Sequence, residues 1–143
     1  MIKKLSRRWR TRWSRLKLAW RWCFRRRAPA HGRSRELIVS LTSYPKRFST
    51  LHLTLKSLLT QSVRPDRVIL WLAEADKNAV PPAVAALQRD GLEIRYCDDL
   101  KSFKKIIPTL STFPAADVTT ADDDLYYWSD WLKQLLAAAE AAS

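Results

Sequence analysis

Three consecutive aspartates, Asp122, Asp123 and Asp124, close the short run Val118-Thr119-Thr120-Ala121. Carboxylates this close repel one another and resist burial, so at the end of a strand they usually have a cation to hold. On an extended segment, residues two apart face the same way. Asp122 and Asp124 are therefore expected to address one site, with Asp123 turned away from it. A solvated acidic turn would carry the same residues, and the surrounding elements have to decide between the two.

Those elements alternate. Strand character appears at residues 37–41, 67–72, 92–97 and 117–121, a stride typical of βαβ units. Ser49 or Thr50 is placed to cap a helix after Pro45, with Leu51, Leu55, Leu58 and Leu59 inward. Pro81-Pro82 opens a second helix, with Val84 and Leu87 inward and Gly91 at the stop. Phe103, Ile106, Ile107 and Leu110 mark one side of a third. Ser129 is expected to cap a last helix bearing Trp131, Leu132, Leu135 and Leu136. The pattern predicts an α/β fold with a mostly parallel, doubly wound, Rossmann-like sheet over residues 36–143.

In such sheets, ligands sit beyond the carboxyl ends of the strands. Thr42, Ser43, Tyr44, Pro45, Lys46 and Arg47 follow the first strand, and Glu74 and Asp76 the second. Asp98 and Asp99 follow the third, and the aspartate triplet the fourth. Acids at three of four exits favour a metal with a phosphorylated ligand over merely polar loops. Gly32 and Gly91 are the only glycines, so no glycine-rich phosphate loop exists. Phosphate is left to a metal and to side chains such as Lys46, Arg47, Lys101, Lys104 and Lys105.

Charge is divided unevenly along the chain. Residues 1–35 hold 14 of the 26 Lys and Arg and no acid, whereas residues 36–143 hold the other 12 with all 14 acids. The net charge of +12 thus belongs to an arm attached to a body of −2. Within residues 1–27, Ile2, Leu5, Trp9, Trp13, Leu16, Trp20 and Cys23, with Phe24 beside it, recur at the spacing of one helix face. Indoles on one stripe among cations suit the interface of an anionic membrane. Nucleic acid is the second partner such an arm fits, and a disordered basic tail is the third reading. Residues 28–35, opening with Ala28-Pro29-Ala30, read as a linker. Cys23 and Cys97 have no metal-ligand spacing and suit a reduced, cytoplasmic setting. No apolar run is long enough to span a bilayer, and Ser6-Arg7-Arg8 lacks the uninterrupted apolar stretch of an export signal.

Three segments carry a resemblance: residues 37–45, residues 58–72, and Ala121-Asp122-Asp123-Asp124-Leu125-Tyr126-Tyr127. Together they resemble the donor domain of family 2-type glycosyltransferases with the GT-A fold, over about residues 36–133. The triplet matches that family's D-x-D motif. The resemblance implies a transferase moving a sugar from a nucleoside diphosphate sugar to a cell-envelope glycan or lipid-linked acceptor, peripheral at the inner face of the membrane. It implies donor contacts at Thr42, Tyr44, Arg47, Asp98 or Asp99, Asp122 and, more loosely, Lys104 or Lys105. Asp124, with Asp122, would hold Mn²⁺ or Mg²⁺. Family members continue past the acidic motif into a segment that binds acceptor and supplies the base, so residues 36–143 read as a partial, donor-binding half with no assignable catalytic base. Trp128 stands where a proline is more usual. The alternatives are a nucleotide-binding remnant without catalysis and a basic module for membrane or RNA.

Overall fold

A computed structural model describes the backbone of residues 2–142 and the side chains from Thr11 to Ala142. Four parallel strands, β1 (Leu37–Thr42), β2 (Arg67–Ala73), β3 (Leu92–Cys97) and β4 (Asp117–Thr120), form one sheet in the order β3-β2-β1-β4. The helices are α1 (Ile2–Cys23), α2 (Phe48–Leu59), α3 (Pro82–Ala85), α4 (Ile107–Thr112) and α5 (Trp131–Ala141). The α/β class and the parallel sheet are as the alternation of elements predicts.

Alternation along β1 and β2 sorts the core onto two unequal faces. Leu37, Val39 and Leu41 of β1, with Val68, Leu70 and Leu72 of β2, pack beneath Leu51, Leu55 and Leu58 of α2, Val84 of α3 and Leu132 of α5. The other face is thin. Ile38, Ile69 and Trp71 form a small cluster there, and beside it Ser40 and Thr109 share a buried hydrogen bond of 2.9 Å. Trp71 Nε1 donates to the same Thr109 hydroxyl at 2.7 Å.

Two local expectations fail for identifiable reasons. Neither Ser49 nor Thr50 caps α2: a 3-10 turn at Pro45–Arg47 starts the helix earlier, at Phe48. Ser129 does not cap α5 either; the Leu132 N–H donates to Gln61 Oε1, while Gln61 Nε2 donates to the carbonyls of Ser57 and Trp128. The apolar side marked by Phe103, Ile106, Ile107 and Leu110 is exposed, and α4 turns its polar Thr109 to the sheet instead. Periodicity located that stripe but not its direction, because the sheet face beneath offers hydroxyls.

The arm lies on the body. Leu18 is buried and Trp22 is half-buried against the main core. Arg21 donates to the carbonyls of Ser57 and Thr60, to the Thr60 hydroxyl and to the Tyr127 carbonyl at 2.8–3.1 Å. The carbonyls at the end of α2 thereby gain a cation, as a helix C-terminus favours. Docking uses Arg15, Leu18, Arg21, Trp22 and Arg25, and turns Trp13, Leu16, Trp20 and Phe24 outward. Trp13 is 61% and Trp20 65% exposed. The side chains of Ile2, Leu5 and Trp9 lie outside the described residues, as does the structure of Met1 and Ser143. Among the described residues, no helix is long and apolar enough to cross a membrane.

Candidate functional site

β1 has β2 on one side and β4 on the other, so the chain reverses direction of travel across the sheet between β1 and β4. The crevice outside their carboxyl ends is the topological switch point of the sheet, where ligands of open α/β sheets bind. A cavity of about 570 Å³ occupies it. Its walls are Thr42, Ser43, Tyr44, Pro45 and Arg47 after β1, and Ala121, Asp122 and Asp123 after β4. Asp76 and a segment from Asp99 to Lys105 complete it.

The acidic triplet does not continue the strand. β4 ends at Thr120, and the aspartates follow in a turn where alternation no longer applies. Asp123, expected to face away, is the buried member. Its side chain is 9% exposed, against 60% for Asp122 and 58% for Asp124. Ser43 Oγ donates to one Asp123 carboxylate oxygen at 2.7 Å and Arg47 Nη1 to the other at 2.8 Å. Thr54 donates to the Asp123 carbonyl at 3.0 Å. This removes the expectation that Asp123 turns away from the site, since it lines the cavity.

The rest of the turn is pinned from behind. The Asp122 N–H donates to the Tyr127 hydroxyl at 2.7 Å, and the Tyr127 N–H donates to Ser57 Oγ at 3.0 Å. Burial pushes the Tyr127 phenol up from its ordinary value, so the ring stays neutral there. With its backbone fixed, Asp122 turns its carboxylate to Lys105 at 2.8 Å, and Asp124 lies 3.1 Å from Arg47.

Cations face these acids across the cavity. Arg47 is held charged by hydrogen bonds to Tyr44, at 3.2 Å, and to Asp123, both of which raise its pKa. Lys104 is buried, and its ammonium donates to Asp99 at 2.8 Å. Lys101 and then Lys104 hold the Asp99 carboxyl well below the usual carboxylate range. Lys101 itself sits at φ 54°, a left-handed conformation that side-chain-bearing residues seldom adopt. Its N–H and ammonium both donate to Asp99, at 3.2 and 2.7 Å, which is what holds it there.

Of the residues expected at the donor site, Thr42, Tyr44, Arg47, Asp99, Lys104 and Asp122 line this one cavity, whereas Asp98 and Asp124 fall outside its lining. Ser43 and Asp123 were not anticipated as site residues. No periodicity marks them; Ser43 is recognisable only once the turn after β4 is seen to bring Asp123 against it. Among the described residues, no group of three or more His, Cys, Asp or Glu is gathered as for a protein-only metal cage. The acids present suit a different kind of ion. Asp122 and Asp124 are exposed, each paired with one cation, and Mg²⁺ typically takes one or two carboxylates with phosphate and water completing its shell.

No protein-family model matches this chain, and neither a curated protein nor a solved structure matches it.

Proposed function

We propose that the cavity binds the diphosphate of a nucleoside diphosphate sugar and that the chain is the donor-binding part of a GT-A-type glycosyltransferase of the family 2 kind. The observation carrying this reading is the cavity at the β1/β4 switch point, walled on both sides by ionised groups. Arg47 and Lys105 are counter-ions of the acidic turn, and Lys104 is anchored by Asp99. A diphosphate entering here meets fixed cations without a glycine-rich loop, while Asp122 and Asp124 offer oxygens to a divalent ion.

Mn²⁺ or Mg²⁺ held by Asp122 and Asp124 would stabilise the charge that grows on the departing nucleoside diphosphate. The chain's own contribution is positional. Ser43, Thr54 and Tyr127 fix the acidic turn, Arg47 bridges it to the loop after β1, and Tyr44 orients Arg47. The outward stripe of α1, framed by Arg and Lys, suits an anionic membrane surface, which would bring the reaction beside a lipid-linked or cell-envelope acceptor.

Titration calorimetry with UDP and GDP, with and without Mn²⁺, tests the reading. Metal-dependent binding is expected, weakened at least about tenfold by Asp124→Asn or by Asp122→Asn, as loss of a charge-assisted ligand implies. Metal-independent binding, or none by any nucleoside diphosphate, would remove it.

A further inference from the structure

A second cavity, of about 600 Å³, lies at the opposite pole of the sheet, between the end of α1 and the residues that lead into β2 and β3. Five arginines line it, against two aspartates. Both aspartates are already engaged: Asp90 by Arg25 at 2.7 Å, and Asp66 by His31 at 2.7 Å and the Leu37 N–H at 2.8 Å. Arg26, Arg27, Arg64 and Arg89 form no ion pair among the described residues. The α2 C-terminus points negative potential this way, but Arg21 already holds its Ser57 and Thr60 carbonyls.

Four guanidinium groups outside any ion pair, around a concavity where arginines outnumber acids, repel one another, and an anion relieves that repulsion. Guanidinium forks match phosphate oxygens in pairs. The main chain at Arg64 is fixed where the side chain leaves it, because its backbone N–H donates to the Pro29 carbonyl at 2.9 Å. The inner wall is apolar, with Leu59 and Trp22 packed against the main core. On the same helix turn as Trp22, Trp20 and Phe24 stack outward at 4.8 Å between ring centroids. Cationic forks above an apolar wall, at the end of a helix whose opposite face exposes indole, are complementary to a phosphate head carried on an apolar tail.

We infer that this cavity is a phosphate site that takes the phosphomonoester head of an anionic lipid, separate from the nucleotide cavity. The full chain is compared with Arg64→Gln/Arg89→Gln, which leaves every arm cation in place. Vesicles of phosphatidylcholine carry phosphatidic acid or phosphatidylserine at matched surface charge. The double variant is expected to lose about tenfold in affinity for phosphatidic acid vesicles and less than about twofold for phosphatidylserine. Millimolar inorganic phosphate should raise the Tm of the parent and not of the variant. That shift without any lipid preference would assign the same site to a soluble phosphate. Arg64→Lys/Arg89→Lys, which keeps charge and loses the fork, should fall between parent and the Gln variant, and it decides the matter if the Gln variant does not fold. Equal losses on both lipids without a phosphate shift, no loss on either, or a loss confined to RNA binding would overturn the inference.

Discussion

At the scale of single residues, the three aspartates have separate duties. Asp123 accepts from Ser43 and Arg47 in a buried setting, so Asp123→Asn leaves one of these donors facing an amide N–H. The expected cost is about 1–3 kcal/mol in urea unfolding, the range for breaking a buried, charge-assisted hydrogen bond. Asp124→Asn, at an exposed position, should stay within about 0.5 kcal/mol of the parent. Equal costs would contradict the division of labour. Asp99 gives a pH test. Its folded pKa is depressed, so its contribution to stability is complete above the unfolded value of about 3.9 and is lost as pH falls through the lower folded value. Lys101→Gln should move the Asp99 carboxyl titration upward in a ¹³C NMR series, with Lys104 keeping it below normal; an unmoved titration would reject Lys101 as the main cause. The strand exits were legible in the sequence because each follows a β-branched or alternating run. Asp123 was not, since its direction depends on a turn that begins one residue beyond β4.

Among the elements, the strands were the most legible, because apolar runs bounded by turn residues have few other uses. The helix starts were not, because Gln61 and Pro45 do from elsewhere what Ser129, Ser49 and Thr50 were expected to do locally. The arm shows a different limit. Its stripe could be counted, but the second face, Leu18 with Arg21 and Trp22, acquires meaning only beside the end of α2 and Tyr127. Burial lowers the pKa of Arg21, yet its hydrogen bonds to four acceptors make it the tie between arm and body. Arg21→Met should therefore cost about 1–3 kcal/mol, chiefly through the Thr60 and Tyr127 carbonyls, since Gln61 still serves that of Ser57. Hydrogen exchange should speed up in the last turn of α2 and at Tyr127, while β2 and β3 keep their protection. Unchanged exchange at both places would show that the arm docks without this residue.

For the molecule as a whole, charge and apolar surface are apportioned between two ends, the switch-point cavity at one and the arginine cavity at the other, with Trp13 and Trp20 of the arm outward. Trp13→Ser/Trp20→Ser removes indole without touching charge. It should weaken binding to anionic vesicles at least about tenfold while Tm stays within a few degrees; equal binding would leave the arm a simple polycation. The strand order carries one more consequence, for how the chain folds. β1, β2 and β3 pair with sequence neighbours through short crossovers, whereas β4, at residues 117–120, must return to β1 at residues 37–42 and pays a larger loop-closure entropy. A three-stranded nucleus can thus form before the last strand adds. On that order Val118→Ala accelerates unfolding and leaves the refolding rate nearly unchanged, the kinetic mark of a late contact. The acidic turn, which hangs from β4, is then the last part of the molecule to be made and the first to be lost. A chain paused on that route is already compact, but its cavity at the β1/β4 switch point is not yet formed.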